Sequence, residues 1–241
     1  MNAVHFILQS KGGCGKTFIS SLLTQFFVET GADVKGWDTD QENRDLFAYK
    51  GLPVRYVDVM ASNTRIDQKK FDGFMESLIV EEGIHVVDNG ANSFTPLLGY
   101  LVENDGLTML KESGKNVFLH SIIGGGDNLD STSIGFSDIL NNSSSPIILW
   151  LNEHFGELST KDGTPFVETD KFKEQKARLR GAVMLHRRNP QTFGEDLRKM
   201  TKARLTLTEV MASAHYSLME KQRLRVFGKD VFEQLAGINF S

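Results

Sequence analysis

Apolar residues recur along this chain in two rhythms, and their alternation predicts the architecture. Residues 3–9 form a nearly unbroken apolar run, Ala3, Val4, Phe6, Ile7 and Leu8 among them, that ends in a glycine-rich loop. A run with no polar face suits a central parallel strand covered on both sides. Beyond the loop, Ile19, Leu22, Leu23, Phe26 and Phe27 fall at helical spacing, which predicts an amphipathic helix from 16 to about 30 that Gly31 stops. Residues 33–37, 84–88, 116–123 and 146–152 read as further strands, with helical patterns over 71–80, 96–102 and 129–140 between them. Strands separated by helix-length segments imply βαβ units and a parallel sheet. Right-handed crossovers then gather the loops after each strand on one edge, where ligands bind.

Residues 157–169 are polar, contain Gly163 and Pro165, and read as a surface excursion. A last strand over 182–186 and a helical tail to about 235 complete the pattern. There is no internal repeat, and the only low-complexity stretch is the Asn-Asn-Ser-Ser-Ser turn at 141–145. The expectation is one α/β P-loop domain over 1–241: a mostly parallel sheet with helices on both faces, with 171–241 as its basic, mainly helical C-terminal part.

Composition narrows the classes. Hydrophobic residues at 40% and charged residues at 24% are ordinary for a globular protein. The single cysteine, Cys14, excludes an intramolecular disulfide and a zinc or iron–sulfur site built within one subunit. No run of 18 apolar residues spans a membrane. The apolar N-terminus lacks the basic lead-in of a signal peptide, so the expected location is cytoplasmic. The net charge of −4 hides an asymmetry: residues 171–229 carry fifteen Lys/Arg against five Asp/Glu. A basic third on an acidic body suits a polyanionic partner, or simply solvated helix faces.

The chemistry concentrates in Lys11-Gly12-Gly13-Cys14-Gly15-Lys16-Thr17, with a strand before it and a helix after it. Closely spaced main-chain N–H groups at a helix N-terminus neutralise a polyphosphate, and glycines let the backbone approach its oxygens. Lys16 would reach the β- and γ-phosphates and the Thr17 hydroxyl would bind Mg²⁺. Ser10 stands where the eight-residue pattern usually has its first glycine. Asp88 ends an apolar strand, where a carboxylate holds Mg²⁺ through water. Asp38 and Asp40 follow the second strand and would order the metal's water shell or an attacking water; a helix cap is the plainer role for any one of them. Cys14 should turn away from the phosphates as a small inert residue, although a helix N-terminus is able to lower a thiol's pKa and so expose it to oxidation.

A lysine directly before Gly-Gly-x-Gly-Lys-Thr resembles the deviant Walker A loop of ParA/MinD-type ATPases. Asp38-Thr39-Asp40-Gln41 resembles that family's second motif, with the usual proline missing, and Val86-Val87-Asp88 looks like its Walker B strand. Within the family the chain looks most like the TraL/StbB type of plasmid conjugation and stability proteins. That similarity lies in Trp150-Leu151-Asn152-Glu153, in 192–197, in Ala203-Arg204-Leu205-Thr206 and in Gln222-Arg223-Leu224.

The resemblance implies a bacterial ATPase, in the cytoplasm or at the nucleoid, that binds ATP and ADP with Mg²⁺. Two subunits would sandwich two nucleotides, with Lys11 reaching the partner's phosphates. Lys11, Lys16 and Asp40 would be catalytic, with Asp40 positioning the attacking water. Lys11, Gly12, Gly13, Cys14, Gly15, Lys16, Thr17 and Phe18 would bind the nucleotide, and Thr17 and Asp88 the metal. Asn152 and residues 187–190 would read the adenine, although an asparagine also ends strands in ordinary turns. Slow, partner-stimulated hydrolysis would act as a switch between an ATP dimer and an ADP monomer. Arg178, Arg180, Arg187, Arg188, Arg198, Lys199, Lys202 and Arg204 would bind DNA phosphates without sequence preference. A plasmid-encoded protein partner is also implied. The tail over 223–240 mixes basic and apolar residues like an interfacial membrane helix, but Asp230 and Glu233 favour a helix packed on the core. Two other readings stand beside this one: a metabolic P-loop enzyme such as a small-molecule kinase or an ATP-dependent ligase, and a nucleotide-dependent binding module with negligible hydrolysis. An iron–sulfur carrier with the same loop needs two cysteines per subunit and is excluded.

Overall fold

The computed structural model describes residues 1–62 and 65–240. In chain order its strands are β1 (Ala3–Ile7), β2 (Val34–Asp38), β3 (Val54–Tyr56), β4 (Met60–Ser62), β5 (Arg65–Ile66), β6 (Ile84–Asp88), β7 (Asn116–Gly124), β8 (Ile147–Asn152) and β9 (Leu179–Leu185). Seven of these make one sheet in the order β3-β2-β6-β1-β7-β8-β9, every neighbouring pair parallel. β4 and β5 form a small antiparallel pair of their own. The fold is the α/β P-loop arrangement that the sequence implies.

The helices are α1 (Lys16–Glu29), α2 (Gln68–Val80), α3 (Phe94–Glu103), α4 (Gly106–Glu112), α5 (Leu129–Asn142), α6 (Asp170–Gln175), α7 (Glu195–Lys202), α8 (Leu207–Ala212) and α9 (Leu218–Ala236). Alternate residues of the central strands feed two cores, one on each face of the sheet. Val4, Phe6, Val87 and Leu119 pack with α2, α3, α4 and α5. Ala3, Ile7, Val86 and Ile148 pack with α1, α7, α8 and α9. The residues 171–240 therefore supply an edge strand and three of the four helices named on that face. Capping boxes at Thr206 with Glu209 and at Ser217 with Glu220 start α8 and α9. Leu224, Phe227, Val231 and Leu235 of α9 are buried against the sheet, so the tail is a core-packed helix.

The segment 157–169 lies at the surface, as read, apart from one buried anchor. It is polar on average, but Phe166 is buried and packs with Phe172 of α6 in the first core. One aromatic residue pins an otherwise exposed or half-buried polar loop to the core, and composition averages hide it. The short β3, β4, β5, α4 and α6 also escape periodicity, because each is shorter than the window in which a period shows.

Both cores contain a histidine held by a tryptophan. Trp150 Nε1 donates to His120 Nδ1 at 2.9 Å, and His120 Nε2 lies 2.9 Å from His5 Nδ1. An indole only donates, so His120 carries its proton on Nε2 and gives it to His5. Burial lowers the pKa of His120 to about 3 and that of His5 well below the usual histidine value, so both rings are neutral. On the other face, Trp37 Nε1 donates to His85 Nδ1 at 3.0 Å, and His85 Nε2 reaches Glu81 O at 2.9 Å.

Candidate nucleotide site

The loop between β1 and α1 is held open by its neighbours. Gln9 Nε2 donates to Ile122 O and Thr132 O, which ties the end of β1 to β7 and α5. Its Oε1 accepts from Ser10 N, and a side chain at Gly135 would collide with it at 2.0 Å. Gly13 at φ 69° and Gly15 at φ 103° occupy the left-handed region that glycine enters without strain. The N–H groups of Gly12, Gly13 and Gly15 meet no acceptor among the described residues. Unpaired amides at the start of a 14-residue helix are what an anion needs. Lys16 is almost buried, and its Nζ donates to Lys11 O at 3.1 Å, so the ammonium lies across the loop. Lys11 is exposed.

Two carboxylates stand beside the loop. β2 and β6 pair in a register that puts Asp38 directly opposite Asp88. Both are buried. Burial pushes Asp38 up to about 6; burial and then the neighbouring Asp38 charge push Asp88 up to about 7. Ser20 Oγ donates to Asp88 Oδ1 at 2.8 Å, and Thr17 and Lys16 also favour its charged form. Two half-suppressed negative charges next to a lysine and two hydroxyls form a setting that a divalent cation would relieve. Among the described residues no cluster of three or more His, Cys, Asp or Glu makes a metal cage. Mg²⁺ usually takes one or two protein groups and completes its shell with water and phosphate oxygens.

Asp38 also organises the loop that follows it, accepting from Asp40 N at 3.0 Å and from Phe47 N at 2.9 Å. Asp40 accepts from Glu42 N and Asn43 N, and its carboxyl group lies against Gly90, just beyond Asp88. The second-motif carboxylates and the strand-end carboxylate thus meet at one place.

A cavity of about 370 Å³ opens beside the loop. Gly15, Phe18, Asn152, Leu185, Leu197 and Phe227 are among its lining residues, with Arg187, Arg188 and Pro190 at the end of β9. Phe18 stacks on Phe227 with ring centroids 5.9 Å apart. Asn152 donates from Nδ2 to Cys14 O at 3.2 Å and accepts from His154 N, so it braces the loop as well as lining the cavity. The polar rim and apolar walls suit a flat aromatic base. Cys14 is fully buried in the second core, and burial raises its thiol pKa despite the helix start, which removes the basis for an oxidation-prone thiolate.

The basic residues of the C-terminal third do not come together as one surface. Arg178 donates to Leu140 O and Ser143 O, and Arg180 to Asn239 O, at the sheet edge opposite the loop. Arg188 pairs with Asp230, Lys199 with Glu220 and Arg204 with Asp45. Arg187 and Arg198 border the cavity, and Lys202 is exposed at the end of α7. A continuous positive face made of all eight is therefore replaced by a small group near the cavity. Their proximity in sequence is undone because β9 carries Arg178 and Arg180 to one sheet edge and Arg187 to the other.

Sequence reasoning missed Ser20 and the cavity residues from α7 and α9. Ser20 was findable, one helical turn beyond Lys16. Phe227 was not, since more than two hundred residues separate it from Phe18.

No protein-family model matches the chain. It is 31% identical over 237 residues to Protein TraL of Escherichia coli, covering 98% of both chains, and 30% identical to a second Escherichia coli Protein TraL over the same span. Among solved structures it resembles the MinD cell division protein of Aquifex aeolicus, with a TM-score of 0.52 and 15% identity over 98% of each chain. That likeness identifies the fold as MinD-like.

Proposed function

The chain belongs to the TraL family, and from that premise we propose that it is an ATP-binding switch ATPase of the ParA/MinD type serving plasmid DNA, in positioning, segregation or conjugal transfer. The observation that carries this reading is the loop of unpaired glycine amides set against two buried, facing carboxylates. The MinD-like fold and the TraL relationship support it.

Gly12 to Gly15 and Lys16 bind the phosphates, and Phe18 with the walls of the neighbouring cavity takes the base. Thr17 and Asp88, with Ser20 behind, would hold Mg²⁺, which when bound screens the phosphate charge. Asp40 orients the attacking water. Lys11, free at the surface, reaches the phosphates of a second copy in an ATP-bound dimer. Arg187, Arg198 and Lys202 would contribute to sequence-independent DNA binding, and a plasmid-encoded protein would stimulate turnover.

Calorimetry of the purified protein with Mg-ATP and Mg-ADP tests the core of this reading. Binding is expected with the wild type, and Lys11→Ala is expected to bind yet fail to dimerise with ATP in light scattering. No heat with any nucleoside triphosphate would overturn the assignment. Normal ATP-dependent dimers of Lys11→Ala would overturn the sandwich.

A further inference from the structure

We infer that Arg204 is a positioning residue: it clamps the carboxylate loop after β2 to the helix that walls the cavity. The inference rests on the ATPase reading and adds a residue from the far end of the chain to it.

The backbone at Arg204 gives the first sign. α7 closes with Arg204 N donating to Thr201 O and Leu205 N to Met200 O, the two bonds of a Schellman ending. Arg204 is the residue of that ending with positive φ, at 53°. Glycine enters this conformation freely and is its usual occupant, whereas an arginine there is strained. The side chain supplies the reason for the choice. Its guanidinium donates to Thr201 O, at the last turn of α7, and pairs with Asp45.

Asp45 belongs to the same loop as Asp40. Asp38 holds Asp40 N at one end of that loop and Phe47 N at the other, and Asp45 lies between them. Leu46, Tyr49 and Leu52 seat the next stretch in a small core of their own. The Glu209 carboxylate of α8 packs against Gly51, where a Cβ would lie 2.5 Å away. The loop is thus gripped by α7 through Arg204 and by α8 through Glu209. α7 in turn lines the cavity through Leu197, Arg198 and Thr201. One ion pair therefore joins the wall of the base pocket to the loop that carries the water-orienting carboxylate.

The pair is partly open to water, with the side chains of Arg204 and Asp45 exposed by 32% and 45%. Such pairs add little to stability. A strained residue making a weakly stabilising contact is placed for geometry, and a small displacement of a reacting group is costly in rate.

The test uses Arg204→Gly, Asp45→Asn and the charge-exchanged Asp45→Arg/Arg204→Asp, each assayed for Mg-ADP affinity, melting temperature, and Mg-ATP kcat and KM. Arg204→Gly relieves the strained backbone, so its melting temperature should match or exceed that of the wild type. Its kcat should fall about tenfold with KM and Mg-ADP affinity little changed, the signature of lost positioning. Asp45→Asn should behave alike, and the exchanged pair should recover most of kcat. Wild-type kcat in Arg204→Gly overturns the inference, as does a fall in melting temperature that accounts for the lost activity. Absence of Mg-ATP turnover in the wild type itself would instead overturn the reading beneath it.

Discussion

The phosphate loop and the basic C-terminal third both stand out in the sequence as binding elements, and the structure treats them oppositely. The loop keeps its polar groups in hand: the amides of Gly12, Gly13 and Gly15 have no acceptor among the described residues, and Asp38 and Asp88 face each other half-neutralised. The basic third spends many of its charges internally, on Asp45, Asp230, Glu220 and main-chain carbonyls. A site is marked by polar groups left without intramolecular partners, because a ligand must supply what the fold has not. Density of charge along the chain is a weaker sign, since folding pairs many such groups.

The largest effect expected from this contrast is at Lys16. Lys16→Ala removes the one nearly buried cation of the loop and should weaken Mg-ATP binding by roughly a hundredfold or more in calorimetry. Asp40→Ala should leave binding near normal and lower turnover by about two orders of magnitude, since the role proposed for it concerns the water and not the phosphates. Wild-type turnover in that variant would detach Asp40 from the chemistry.

A second test sharpens the comparison through pH. Asp88 and Asp38 have folded pKa values raised from 3.8 to about 7 and about 6. Between those values the folded state holds protons that the unfolded state has lost, so their contribution to stability is full below about pH 4 and gone once the pH has risen through about 7. The buried histidines act in the opposite sense: His85 and His120, lowered from 6.5 to about 4 and about 3, favour folding above pH 6.5 and lose that contribution as the pH falls. Asp88→Asn should therefore remove much of the declining limb, so that ligand-free melting temperature rises more steeply towards pH 6.5 than in the wild type. An unchanged profile would mean that Asp88 is already charged in the empty site.

The smallest effects are expected in the basic third, and they should divide. Arg198→Ala with Lys202→Ala should weaken binding to random duplex DNA and lower the salt slope by about one per lost phosphate contact, without affecting melting. Arg178→Ala should leave DNA binding alone and cost about 1–3 kcal/mol of stability, because it strips donors from two carbonyls. If both sets reduce DNA binding equally, the sorting of these residues by their partners is wrong.

Local pattern made the loop, β1, α1 and the strand-end Asp88 legible in the sequence, because each rests on neighbours within some fifteen residues. The confrontation of Asp38 with Asp88 was not legible, since it depends on the register of β2 against β6. The cavity was legible in part: Phe18, Asn152 and the stretch after β9 stand out in the sequence and line it, but its walls from α7 and α9 do not. Arg204 and Asp45 lie 159 residues apart, and no periodicity connects them. The polar segment 157–169 lies at the surface as its composition suggests, but its average character concealed the single phenylalanine, Phe166, that anchors it.

The tryptophan–histidine chain on β8, β7 and β1 has a consequence for how the sheet assembles. Its three rings meet diagonally across neighbouring strands, Trp150 to His120 to His5, among the apolar side chains of the second core. Sliding any one strand by a single residue would send its ring to the opposite face and break a bond of the chain, leaving the indole N–H or further imidazole nitrogens unpartnered beside His5 Nε2, which already has no partner among the described residues. Aliphatic strands tolerate such misalignment, because one valine replaces another at little cost. The neutral rings therefore proofread strand alignment, and the phosphate loop inherits its placement from the strand that carries His5.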